Sequence, residues 1–423
     1  MEKISLLDPK RERYVEAWNY FKEDFSKLNY FLLPKNKFLK KIIIFFYLKI
    51  LRKPKAIWSI IKNSKINFRD PMKNKIVLVD SESSIWFKYI LNHSNHIVIP
   101  VREKDFNEIF ISKNMIKLML IDIFKYPLKI NYLKALITLI KPKIVVTAID
   151  NSYEFIELSN IFKDKEIKFF AIQNAGRNYL RNKIIKNLNL DTYFIVGELE
   201  KEILKKNVNV KNFKSIGSIR ASTAKRHFIE NNIDLKKKYD ICLISEPNVS
   251  TNQELLDSNN IEAMTALAAE YTIKFCRKFD KTFIFSGKID VNDNKKNLEI
   301  TSYKNYINKE KFEISFHKKE HWGSYKNIAQ SEVTIGVYSS LMREAFEFKK
   351  KVLCCDFIGS VETEFPAKDP VVLKLCDYEQ FEKRLLLILS LSYDDYIKKI
   401  SDVNLIYNQK IDAVEKLKKE LLN

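Results

Sequence analysis

Short apolar runs that end in a polar or ionisable group, each followed by an amphipathic stretch, recur along most of this chain. The clearest case is Ser331–Asp356. A strand-like run, Glu332–Val337, stops at a turn after Gly336, and two hydroxyls, Ser339 and Ser340, follow where a helix would start. Leu341, Met342, Ala345, Phe346 and Phe348 then recur at near-helical spacing. Lys349–Lys351 complement the negative end of that helix, and Val352–Phe357 reads as the next strand.

The same rhythm predicts strands at Lys75–Asp80, Asn95–Pro100, Met119–Phe124, Lys143–Asp150, Lys168–Gln173, Thr192–Val196 and Phe213–Ile216. After a polar, basic stretch, Lys225–Lys238, a second series opens at Lys238–Ser245. It passes through a helix at Asn260–Phe279 to strands at Lys281–Ser286, Glu313–Phe316, Val333–Val337, Lys351–Phe357 and Val371–Lys374. Helices are predicted at Tyr378–Leu391 and Tyr393–Leu422. Uninterrupted apolar strands separated by helices argue for parallel sheets covered on both faces.

The predicted fold class is therefore α/β, with two Rossmann-like, doubly wound parallel-sheet domains facing a cleft. The expected boundaries are 1–70 for a basic helical arm, 71–224 and 236–385 for the two domains, and 386–423 for terminal helices. Within the arm, Tyr14, Trp18, Phe21 and Phe25 fall three or four apart. Residues 38–63 bracket a short apolar core with Lys40, Lys41, Lys49, Arg52, Lys53 and Lys55. That makeup suits either a helix lying on an anionic bilayer or a basic helix packed on its own protein.

Composition narrows the picture. At 423 residues, 46% of them hydrophobic, the chain can fill two or three cores. Its formal charge of +21 suits nucleic acid, an anionic membrane or phosphorylated ligands. Lysine is spread through every segment, so the charge is discounted as a sign of nucleic acid, and no nucleic-acid partner is expected. With seven glycines there is no G-x-G-x-x-G and no Walker-type loop. The five cysteines are read as buried thiols of a reducing compartment, with no zinc spacing. A charged opening segment and the lack of a long apolar run make the cytoplasm the expected location.

In open parallel sheets ligands bind beyond the carboxyl ends of the strands, so the polar residues there are the candidates. The second domain offers Ser245 and Glu246, Ser286, Gly287 and Lys288, His317, and Tyr338, Ser339 and Ser340. This basic, hydroxyl-rich set suits a nucleotide phosphate. The first domain offers Asp150 and Asn151, then Gln173, Asn174 and Arg177, a set suited to a hydroxyl-rich acceptor and a general base. Each residue also has an ordinary reading: Asp150 and Ser339 as helix caps, Glu246 as a turn residue, His317 and Arg177 as surface groups.

Four stretches carry a resemblance: TAIDNSYEFIELSNIFKDKEIKFFAIQNAGR, FKSIGSIR, DICLISEPN and TIGVYSSLMREAFEFKKKVLCCDF. Together they resemble bacterial surface-carbohydrate-biosynthesis glycosyltransferases of the GT-B type, enzymes of capsule and lipopolysaccharide assembly that include distant CMP-Kdo-dependent transferases. The resemblance covers about Lys75–Asp377. It implies a nucleotide sugar held by the C-terminal domain, with Ser339 and Ser340 on the phosphate and Glu344 on the ribose. It places His317 near the phosphate, although Lys318 stands where relatives carry proline. Gln173–Arg177 would face the acceptor or the transferred sugar.

An inverting reaction makes Asp150 the base, whereas a retaining double displacement makes Glu246 the nucleophile. No cofactor or metal is expected, since helix dipoles and basic groups can stabilise the leaving phosphate. The acceptor is a glycan or glycolipid, reached by a cytoplasmic protein that is peripheral on the membrane's inner face. The alternatives are a teichoic-acid-type glycerophosphotransferase with a CDP-linked donor, and a non-catalytic, basic nucleic-acid-binding protein.

Overall fold

In the computed structural model of the chain, the described residues are 62–92, 95–102, 105–123, 125–175, 188–205, 208–246, 258–304, 312–318, 322–357, 365, 367, 369–374, 377–400 and 403–422. Residues 1–61 of the expected helical arm, including nearly all of 38–63, therefore lie outside them, as does Arg177. The end of the arm is described and corrects the expectation, since Lys65–Asn67 is a strand paired in parallel with Glu108–Phe110.

Along the chain come β1 (Lys65–Asn67), β2 (Ile76–Val79), α1 (Ser81–Phe87), β3 (His96–Ile99), β4 (Glu108–Phe110), α2 (Lys113–Ile121) and α3 (Leu128–Ile140). Next are β5 (Ile144–Thr147), α4 (Tyr153–Ile161), β6 (Lys168–Ile172), β7 (Asn189–Ile195), α5 (Leu199–Leu204), β8 (Asn209–Ser215) and α6 (Ile219–Glu230). The second half holds β9 (Tyr239–Ile244), α7 (Ser258–Phe279), β10 (Phe283–Asp290), α8 (Lys296–Lys304), β11 (Ile314–His317), α9 (Gly323–Ala329) and β12 (Ser331–Gly336). It ends with α10 (Ser340–Glu344), β13 (Lys351–Cys355), β14 (Val372–Leu373), α11 (Tyr378–Ser390), α12 (Tyr393–Lys399), α13 (Val403–Ile406) and α14 (Ala413–Leu422).

Two compact units result, one from the chain up to Met72 with Arg102–Ile140, the other from Lys73–Val101 with Lys141–Asn423. In the smaller unit β1 pairs in parallel with β4. The Asp70 carboxylate accepts from Ser112 and, at 2.7 Å, from Asn114 Nδ2. This unit corrects one expectation: Met119, Leu120 and Ile121 end helix α2 instead of starting a strand. Ser112 caps that helix by accepting from the Met115 N–H at 3.1 Å, and the cap overrides the local apolar run.

The larger unit contains both expected sheets, each six-stranded and parallel throughout. The first has the order β3-β2-β5-β6-β7-β8 and the second β11-β10-β9-β12-β13-β14. The order reverses between β2 and β5 in the first lobe and between β9 and β12 in the second. Strands such as β2 (BBBB) and β13 (BBBBB) are buried along their whole length, which is why they read as unbroken apolar runs. Cys242, Cys276, Cys354 and Cys355 are buried free thiols within this second lobe, and burial pushes Cys276 up to about 12.

The long terminal helix expected over 393–422 is three helices. Ser392 opens α12 by accepting from the Asp395 N–H, and Asp412 opens α14 by accepting from Val414 and Glu415. Ala413, Val414, Leu417 and Leu421 of α14 then join the first lobe's core with Ile76, Leu78, Val146 and Phe194. The chain thus returns across both lobes. Gly197, just beyond β7, allows this: a Cβ there would lie 2.4 Å from the Leu405 carbonyl oxygen and 2.5 Å from the Ile406 carbonyl carbon.

Candidate active site

The second lobe's switch point sits where β9 and β12 end side by side. Glu246, just past β9, turns its carboxylate onto the backbone of the segment that leaves β12. The Val337 N–H donates to Oε2 at 3.0 Å, and the Tyr338 N–H reaches Oε1 at 3.1 Å and Oε2 at 2.9 Å. That carboxylate pins the turn, and Ser339 follows as the helix cap, accepting from the Leu341 N–H at 3.3 Å. Ser339 and Ser340 are half-exposed at the start of α10. The helix is short, passing into a 3-10 turn at Ala345–Phe348 that closes on Lys349 with φ 53°.

Lys351, expected at this helix's C-terminus, serves another. It is buried at the start of β13, where its Nζ pairs with Glu332 at 2.9 Å. The same Nζ donates to the Leu389 and Leu391 carbonyls at 3.3 and 2.7 Å, closing the end of α11.

A buried polar knot supports the neighbouring strand ends. Glu299 and Tyr303 stand one turn apart on α8, both fully buried. The Glu299 carboxylate accepts the Ser245 hydroxyl and the N–H groups of Lys288 (2.9 Å) and Ile289 (3.0 Å). The Tyr303 hydroxyl meets Ser245 Oγ at 3.0 Å and accepts the Glu246 N–H at 2.8 Å, and burial pushes its pKa well above 10.0. Ser286, Gly287 and Lys288, expected just after a strand, lie inside β10. That strand outruns its pairing with β9 and shifts register against β11 between Ser286 and Asp290. Ser286 accepts from Asn327 Nδ2 at 3.0 Å. Gly287 leaves room for Ile314 and Phe316, and Lys288 is exposed.

His317 ends β11, half-buried, its Nε2 3.0 Å from Ser324 Oγ and its ring against Gly323. Burial holds its pKa below the ordinary 6.5, outweighing the backbone contact and Asp290, which pull the other way.

Several expected ligand contacts are spent inside the protein. Glu344, expected on a ribose, is buried, with Oε1 taking the Ser218 hydroxyl at 2.6 Å and Oε2 the Tyr325 hydroxyl at 2.9 Å. Asp150, expected as the base, is fully buried with the Tyr193 hydroxyl on Oδ2. A base working on an acceptor hydroxyl needs hydrogen-bond reach to it, and this carboxylate faces inward. Gln173 bridges its own lobe, Oε1 accepting from the Val196 N–H at 2.9 Å and Nε2 donating to the Ala175 carbonyl at 2.8 Å. Asn151 is exposed, and Asn174 accepts from Arg220 Nη2.

The segments that follow the two carboxyl edges meet each other. Besides Ser218–Glu344, Arg343 forms a buried ion pair with Glu200 and donates to the Ile406 carbonyl from Nε (3.1 Å) and Nη2 (2.7 Å). Trp86, from α1, packs edge-on to Trp322 with ring centres 5.0 Å apart. Trp86 and Trp322 carried no signal in the sequence, whereas Arg220 stood in the strand-end segment Gly217–Arg220 after β8 but was given no role. Among the described residues no group of three or more His, Cys, Asp or Glu is placed to hold a metal ion, and no helix is long and apolar enough to cross a membrane.

The architecture is GT-B-like: two Rossmann-like parallel-sheet lobes whose strand ends meet. Solved structures agree on the fold. UDP-GlcNAc 2-epimerase from Neisseria meningitidis, bound to UDP-GlcNAc, superposes with a TM-score of 0.52 at 14% identity, over 83% of this chain and 100% of that one. A Listeria monocytogenes chain assigned as UDP-N-acetylglucosamine 2-epimerase gives 0.51 at 11% identity, over 82% and 95%. The wall teichoic acid polymerase TagF aligns over 89% of this chain and 96% of that one at 10% identity, with a TM-score of 0.43. No protein-family profile and no curated protein matches the sequence.

Proposed function

We propose that this protein is a glycosyltransferase that moves a sugar from a nucleotide-activated donor to a growing bacterial surface glycan, with the nucleotide held by the second lobe. The observation that carries this reading is the switch point: Glu246 fixes the turn beyond β12, so that the half-exposed hydroxyls of Ser339 and Ser340 open α10 at the sheet's carboxyl edge. Hydroxyls and backbone N–H groups there suit a phosphate ester. A nucleotide-sugar ligand gains support from the N. meningitidis enzyme, which holds UDP-GlcNAc in the same fold.

With Asp150 and Glu344 engaged internally, the step we favour is driven by the leaving group. The bond from the anomeric carbon to the phosphate oxygen breaks as the acceptor oxygen bonds to that carbon, and the acceptor's hydroxyl proton passes to the departing phosphate. The exposed Lys288 and the Ser339–Ser340 hydroxyls stabilise that phosphate, with no metal required of the protein. Glu246 has both oxygens on backbone donors, which suits holding the turn better than nucleophilic attack. The basic stretch 38–63 serves, in this reading, as a peripheral contact with the inner membrane face, where a glycolipid acceptor would lie.

A second reading, isomerisation of the nucleotide sugar without an acceptor, is favoured by the epimerase likeness. Nucleotide release separates the two, because a transferase frees it only when acceptor is present. The test of donor binding is a thermal-shift panel of CMP, CDP, UDP and GDP. A ligand at about 100 times its Kd stabilises by about 2.7 kcal/mol. Ser340→Ala should weaken the responding nucleotide by about 1–2 kcal/mol. Equal affinity in variant and wild type would remove Ser340 from the site.

A further inference from the structure

Arg220 is the second residue of α6, half-buried at the first lobe's carboxyl edge, beside the elements of the second lobe. Its guanidinium lies 4.6 Å from the centre of the Trp86 ring, and Nη2 donates to Asn174 Oδ1. Trp86 is braced in turn by Trp322, and its carbonyl accepts the Thr223 hydroxyl at 3.1 Å. Both groups that hold the guanidinium are neutral. Among the described residues no carboxylate forms an ion pair with Arg220, and its Nε is buried without a hydrogen-bond partner. Glu344 is the acidic group nearby in this network, and both its oxygens are taken by Ser218 and Tyr325.

A guanidinium stays charged at any physiological pH, and partial burial without a directly paired anion is unfavourable. Arg220 lies over an indole ring and is anchored at one nitrogen, which leaves the planar fork held in place with donors to spare. We propose that Arg220, clamped between Trp86 and Asn174, is an anion subsite that takes a carboxylate or phosphate group of the ligand. The subsite stands on its own geometry, and only the naming of that ligand as a nucleotide sugar or its acceptor rests on the reading above.

The flanking indoles supply the readout. The full chain is titrated with inorganic phosphate and, separately, with acetate, while tryptophan fluorescence is followed. Wild type should respond saturably to at least one anion, and Arg220→Gln should shift the midpoint by roughly tenfold or more. Asn174→Asp places a carboxylate on the guanidinium and should abolish the response with the arginine still present, which decides the matter where Arg220→Gln fails to fold. Preference for acetate identifies a carboxylate group and preference for phosphate a phosphoryl group. No saturable response in wild type, or an unchanged titration in both variants, would overturn the subsite. Ser340→Ala should leave the anion titration unchanged while weakening nucleotide, so a failed donor site and a failed anion subsite give different results.

Discussion

At the scale of single residues, the strand-end positions divide into groups that face a ligand and groups that hold the frame. Sequence placed Glu246, Asp150 and Glu344 together as chemistry-bearing carboxylates. The structure gives each an internal donor set: two backbone N–H groups, a tyrosine hydroxyl, and a serine with a tyrosine. That difference was not legible, because the donors come from segments remote in sequence. Arg220 is visible in the sequence as a strand-end residue, but its role is not, since its environment is made by Trp86 and Asn174. His317 was found from its place after a strand, and its surroundings set a testable pH response. In the folded protein its imidazole stays neutral to lower pH than the ordinary 6.5, so the unfolded chain holds the extra proton between those values. Stability therefore falls as pH drops through 6.5 and below. The Tm gap between wild type and His317→Asn should shrink between about pH 7.5 and about pH 5, and a constant gap would show that this histidine is not held neutral by burial.

Among elements, the buried central strands were readable because burial on both faces leaves no polar position to interrupt the pattern. β2, β5, β6, β9, β12 and β13 all appear within the predicted runs or within two residues of them. Short apolar runs at the margins were ambiguous, and the Ser112 cap turned one of them into α2. The boundary at Ser392 was readable, but the break before Asp412 inside the expected 393–422 helix is likewise a matter of a cap, which the apolar spacing hides. The most demanding element contact is that of the chain at Leu405 and Ile406 crossing Gly197. Backbone faces backbone there, so Gly197→Ala should cost about 3 kcal/mol or more in denaturant unfolding. Gly336→Ala is the control. Its added methyl would lie 2.6 Å from Met342 Sδ, a flexible side chain that can move, and the loss should be smaller. Equal losses would mean that the crossing is looser than described.

For the larger unit as a whole, the two lobes are joined by polar contacts as well as by the returning C-terminal helix. The Arg343–Glu200 pair is nearly inaccessible to water, with side chains 6% and 1% exposed. Such a pair contributes little against an apolar replacement, but breaking it leaves one charge buried. Glu200→Ala should destabilise by about 3–5 kcal/mol, and the double variant Arg343→Met with Glu200→Leu should recover much of that loss. If the single and double variants were equally destabilised, the pair would not be acting as a unit. A join of this kind sets the spacing of the two carboxyl edges, and so the room available for a donor and an acceptor.

The central claim is that the turn and helix start beyond β12 receive a nucleotide phosphate. Hydrogen–deuterium exchange of the full chain, with and without the nucleotide that gives the largest thermal shift, tests this most directly. Slowed exchange in peptides spanning residues 338–346 is the expected result; an unchanged rate there, with protection confined to other segments, would contradict it.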